Sequence, residues 1–167
     1  MNQHASSPAE PPAPANWPDV FAGIGLVLRL ELGGLFLLAA YHKLWAPNGP
    51  QLFSASVQAF KLHLPDALTR LATFGTPWVE TVASIGLVLG IWTRAAATVL
   101  ALLLGVFIIL IVSVLLRHLD VECGCFGKFS PFCHGNIGLC HIVQDCVMLA
   151  AAVAIALTPR HKLVLTR

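Results

Sequence analysis

The sequence predicts an all-α integral membrane protein: a bundle of four transmembrane helices, with a short interfacial amphipathic helix between spans one and two. Two observations carry this. Hydrophobic residues make up 57% of the 167-residue chain and charged residues only 11%, with a mean hydropathy of +0.79. Soluble domains carry about 25% charged residues, so a surface this poor in charge must face lipid. The apolar residues also fall into four runs separated by turn formers, and helices satisfy their own backbone groups where no water is at hand.

Residues 1–19 stand apart. Pro8, Pro11, Pro12, Pro14 and Pro18 lie among Ala and Ser, a composition that buries no core and reads as a disordered tail. The tail holds no Lys or Arg, so it lacks the positive start of a secretory signal. The membrane domain covers 20–158, and 159–167 form a basic tail. Run one, 20–41, is about 33 Å long as a helix, enough to cross a hydrocarbon core. Run two, 76–92, is shorter. Run three, 95–116, is interrupted only by Thr98 and Ser113, and run four is 137–157. Only Thr93 and Arg94 separate runs two and three, so they form a tight antiparallel pair. Between runs one and two, Pro47, Gly49 and Pro50 stop the first helix. Phe53, Val57, Phe60 and Leu64 then recur at three- and four-residue intervals. That period predicts an amphipathic helix over 52–64, either on the interface or capping the bundle, which Pro65 ends.

Four spans place both termini on one side, together with Arg94, Arg160, Lys162 and Arg167. The positive-inside rule puts that side in the cytoplasm, against Lys43, Lys61, Arg70, Arg117 and Lys128 opposite. Four of the five cysteines cluster at 123–140, where an oxidising exterior permits disulfides. Termini inside and cysteine loop outside satisfy both. The net charge of +2 and the scattered basic residues exclude a nucleic-acid surface. No phosphate-binding loop, nucleophile elbow or zinc-protease motif occurs.

The loop motif is Cys123-Gly124-Cys125-Phe126-Gly127. In an extended segment residues 123 and 125 point the same way, and Gly124 permits the tight backbone a bond between them needs. Such a small ring is strained and easily reduced, which suits exchange. Cys133 would be an auxiliary, resolving thiol. Arg117, His118 and Lys128 favour thiolate there, while Asp120 and Glu122 oppose it. Two other readings stand beside an exchangeable dithiol. One is a structural disulfide from Cys123 or Cys125 to Cys133. The other is a metal site of Cys123, Cys125, Cys133 and His134 or His118, though C-x-C is tighter than ordinary zinc spacing. Cys140 and Cys146 read as small apolar packers within run four, with Cys140 close enough to the outer end to reach the loop.

Arg29, Glu31 and Glu80 are expensive in hydrocarbon and require partners or an inward position. Arg29 would snorkel towards the nearer face. Glu80 lies 14 residues before Arg94, about 21 Å along a helix, and so near the outer face where Lys43 ends run one. A Lys43–Glu80 pair follows. His141 and Asp145 are four apart and share a helix face. Lys43, Glu80, His141 and Asp145, with His42, are thus candidates for a polar pocket holding a quinone or conducting protons. The alternative is that these charges only lock helix positions.

Three segments resemble a known family: Arg29-Leu-Glu-Leu-Gly33 with Phe36 and His42-Lys43-Leu44; Pro77-Trp-Val-Glu80 with Gly86, Gly90 and Arg94; and the Cys123–Gly127 motif. Together they cover about 20–158 and resemble the MauE branch of the DoxX-like membrane proteins. The resemblance implies a four-helix protein of the bacterial inner membrane. It also implies a role in maturing exported proteins, such as the disulfide-rich small subunit of methylamine dehydrogenase, beside a periplasmic thioredoxin-like partner. Cys133 with His134, Gln144-Asp145, Cys140 and Cys146 depart from the family pattern. The expectation is a membrane protein supporting thiol–disulfide exchange through Cys123 and Cys125. A non-catalytic scaffold subunit and a quinone- or small-ligand-binding bundle are the alternatives.

Overall fold

The computed structural model describes residues 17–60, 65–118, 133 and 137–158, with side chains from Gly23 onward. The Cys123–Cys125 motif, His134 and the tails before 17 and after 158 lie outside the described residues. Five helices follow in order: α1 (Trp17–Leu44), α2 (Gly49–Ala59), α3 (Asp66–Leu89), α4 (Thr93–Leu116) and α5 (Leu139–Leu157). Helix α1 begins three residues before the expected run and ends with His42 and Lys43 in its last turn, where cations meet the negative end of the helix dipole. Asn48 adopts a left-handed conformation with φ 61°, and Pro50 opens α2, a position where its missing N–H costs nothing.

Helix α3 departs most from expectation. The apolar run suggested 76–92, yet the helix starts ten residues earlier, directly after Pro65. Its polar residues hid it. Thr69, Thr73 and Thr81 donate their hydroxyls to carbonyls four residues back, at 3.4, 2.8 and 2.7 Å, so each is satisfied within the helix. Thr73, Glu80 and Ser84 are buried, while Leu68, Leu71, Phe74, Trp78, Val82, Ile85 and Leu89 point outward. The polar face is inside and the apolar face outside. Three helices are long and apolar enough to cross a membrane, over Gly23–Leu44, Thr93–Leu116 and Leu139–Leu157. Helix α3 has the length, but its inward polar residues keep its mean hydropathy below theirs.

The principal packing is α1 on α3 and α4 on α5, joined through α3 and α4. Helix α1 approaches α3 closely at Gly33, where a Cβ would lie 2.6 Å from Val88 Cγ2; small residues permit such approach between membrane helices. Leu32, Phe36, Leu87, Ala97, Leu100, Leu104, Ala152 and Ile155 form the main core. A second cluster of Phe60, Ile111, Val114 and Ile137 closes the end nearest α2. There Arg117 Nη2 donates to the Phe60 carbonyl at 2.7 Å. At the opposite end Arg94 Nε donates to the Ala156 carbonyl at 2.9 Å, tying the start of α4 to the end of α5.

The α3–α4 turn is built on two left-handed residues, Gly90 at φ 78° and Trp92 at φ 51°. Arg29 is buried rather than snorkelling. Its guanidinium packs over this turn, with Nη1 3.0 Å from where a Gly90 Cβ would sit. Gly90→Ala therefore meets a left-handed backbone and an occupied space together. It should destabilise the protein by about 1 kcal/mol or more, read as a lower melting temperature in detergent micelles, whereas Gly34→Ala, in open space, should not.

Candidate functional site

Lys43 stands at the end of α1 and Glu80 nine residues before the end of α3. Lys43 Nζ donates to both Glu80 carboxylate oxygens at 2.8 Å, and each side chain is only 4% exposed. The contact read from the charge spacing is thus formed, deep inside the bundle. Phe53 of α2 and Phe107 of α4 present ring centroids 5.0 and 5.9 Å from Nζ, within range of cation–π attraction. Two oxygens and two rings together replace much of the hydration that the ammonium gives up.

The pair lies on a cavity of about 150 Å³ to which all five helices contribute lining residues. Its other walls are mainly apolar, with Phe36, Phe60 and Leu104 among them. Phe53 and Val57 of α2 and its C-terminal Phe60 line it, so the described part of the amphipathic face predicted over 52–64 caps the bundle, while 61–64 lie outside the described residues. Asp145 of α5 also reaches the cavity. It is buried, and its Oδ2 has no hydrogen-bond partner among the described residues. One ammonium therefore faces two carboxylates, an excess that a proton or a ligand's hydrogen-bond donor would balance.

The remaining pocket candidates part company. His141 is buried but caps α5: its Nδ1 accepts the Gly138 N–H at 3.4 Å, and it is not among the cavity's lining residues. His42 is likewise not among them. Phe53 and Phe107 were not singled out as partners of Lys43. Phe53 carried a signal in its amphipathic period; Phe107 carried none, because its approach to Lys43 joins two distant helices.

The sulfur chemistry also differs from expectation. Cys133 is disulfide-bonded to Cys140 in the first turn of α5, seven residues on. Neither the Cys123 or Cys125 partner anticipated for Cys133 nor the packing role assigned to Cys140 describes this bond. Apolar placement of Cys140 in run four suggests packing, whereas its position near the outer end also leaves it within reach of the loop, and Cys133 lies 6.0 Å from it between Cα atoms. A sulfur in a disulfide is not a thiolate ligand, so this state withdraws Cys133 from the metal set considered above. Among the described residues no cluster of three His, Cys, Asp or Glu could hold a metal. The free cysteine among them is Cys146, exposed on α5. Exposed Tyr41, Trp45 and Trp78 cluster near the Lys43 end, Tyr41 stacked on Trp45 at 6.4 Å and Trp45 edge-on to Trp78 at 5.9 Å, a grouping of the kind found at membrane surfaces.

Apolar helices around a buried ion pair, with a disulfide heading the last helix, define a helical membrane protein. Residues 22–158 match the family model described as Methylamine utilisation protein MauE, and the chain belongs to that family. It is 33% identical over 132 residues to "Methylamine utilization protein MauE" of Paracoccus denitrificans, covering 77% of this chain and 66% of that protein, just under two thirds of its length. No solved structure matches the chain.

Lys43→Met should leave Glu80 buried without its ammonium and lower stability by about 3–5 kcal/mol, whereas adding Glu80→Leu should recover most of the loss. Thermal unfolding of the single and double variants in lipid nanodiscs measures both. Equal loss in the double variant would mean that the pair is more than a matched charge.

Proposed function

We propose that the protein supports thiol–disulfide exchange in the maturation of exported proteins, with Cys123 and Cys125 as the exchanging pair. The observation that supports this reading is the Cys133–Cys140 disulfide, which ties Cys133, eight residues after Cys125 in the sequence, to the head of α5. Sulfur oxidation at that end of the bundle accords with an oxidising compartment. We infer further that α3 is a fourth span, because its outward side from Leu71 to Leu89 is largely apolar and Thr73, Glu80 and Ser84 are turned inward. Four spans put both termini in the cytoplasm and the cysteine segment in the periplasm of a bacterial inner membrane. The relative's name adds a tie to methylamine utilisation. A periplasmic thioredoxin-like protein, or the exported client itself, is the partner whose chemistry matches.

In this reading a client dithiol attacks the Cys123–Cys125 disulfide through a mixed disulfide. The client leaves oxidised, and Cys123 and Cys125 are left as thiols. Replacing both with Ser should abolish exchange with a thioredoxin-like dithiol, followed by thiol trapping and mass. Exchange at the unaltered rate would end the proposal. The pair should titrate in the range of exchange catalysts, roughly −120 to −270 mV, rather than below about −300 mV. An impermeant maleimide applied to intact cells after reduction should label these cysteines; labelling only after lysis would reverse the orientation.

A further inference from the structure

Both sulfurs of the described disulfide border a second, separate space. A groove of about 400 Å³ runs between α1 and α5, lined by Leu28, Leu32, Leu35, Val147 and Ala151 and by Cys133 and Cys140. Cys140, Gln144, Val147 and Ala151 recur at helical spacing along one side of α5, about 16 Å from first to last. Gln144 lies one turn below Cys140, and its side-chain oxygen is buried with no hydrogen-bond partner among the described residues. An orphaned acceptor in an apolar wall costs stability unless something donates to it. Glu31 borders the groove as well. The space therefore combines a two-electron redox group, a waiting acceptor beside it and a long apolar channel on the outer surface of apolar helices.

From this geometry we propose that the α1–α5 groove binds a lipid-soluble quinone, with its ring at Cys133, Cys140 and Gln144 and its hydrocarbon tail along Leu28, Leu32, Val147 and Ala151. The proposal rests on the exchange reading above and names its electron acceptor. The Cys123–Cys125 dithiol left by the client exchanges with the Cys133–Cys140 bond, so that the Cys123–Cys125 disulfide re-forms and Cys133 and Cys140 become thiols; these two thiols then lose two protons and two electrons and their S–S bond forms again. The quinone's two carbonyl oxygens take up those protons and electrons, giving one hydroquinone. A hydroquinone hydroxyl supplies the donor that the Gln144 oxygen lacks.

The test uses the full chain in nanodiscs carrying Cys123→Ser, Cys125→Ser and Cys146→Ser, so that only Cys133 and Cys140 can give electrons. The protein is reduced, freed of reductant and mixed anaerobically with a short-chain ubiquinone analogue. One hydroquinone per re-formed disulfide is expected. Val147→Trp, filling the groove from an exposed position, should raise the half-saturating quinone concentration at least tenfold. Val82→Trp, on the outward side of α3, should leave it unchanged. Absence of hydroquinone overturns the proposal, as does reduction indifferent to Val147→Trp. So does sensitivity instead to Thr76→Leu, which narrows the central cavity and would place the quinone there. Exchange of the unsubstituted protein with a thioredoxin-like dithiol is measured alongside. If exchange persists without hydroquinone, only the quinone site fails; if hydroquinone forms without exchange, the thiol partner proposed above is the part that fails.

Discussion

The Lys43–Glu80 contact is the constraint around which the bundle is arranged. Two opposite charges removed from water are tolerated only while each faces the other, since the penalty for an isolated ion in a low-dielectric interior far exceeds any single packing gain. The pair therefore fixes the register of α1 against α3. Gly33, ten residues earlier on α1, then falls opposite Val88, and Arg29 falls over the α3–α4 turn. A one-residue slip would separate the charges and pull the guanidinium from Gly90. Electrostatics, close approach and turn geometry agree on one alignment.

The same pair explains why α2 lies where it does. Helix α1 stops at Leu44, just past the ammonium, and would leave its side open above Glu80. Phe53 and Phe60 of α2 cover that side, and their rings join Phe107 around the cavity. The cover is held by the guanidinium of Arg117 on the Phe60 carbonyl as well as by apolar contact with Ile111 and Val114.

Long apolar runs made α1, α4 and α5 legible, because uniform hydrophobicity over about twenty residues has few other meanings. The first half of α3 was not legible. Its threonines look like loop residues until their hydroxyls are seen returning to the carbonyl four back, a bond that only exists once the helix does. The Lys43–Glu80 contact was accessible from charge spacing, because few partners are available inside lipid. The parting of His141 from Asp145 was not: a shared helix face says nothing about which neighbour each meets. The Cys133–Cys140 bond was legible only in part: Cys140, near the outer end, stood within reach of the loop, but nothing in the sequence chose its partner among the other cysteines.

The Arg117–Phe60 bond has a mechanical corollary. Arg117 lies six residues before Cys123 in the sequence, and its side chain donates to the Phe60 carbonyl at the end of the cover over the central cavity. The end of α4 and the cover over the chamber lined by Asp145 are thereby joined through a single guanidinium.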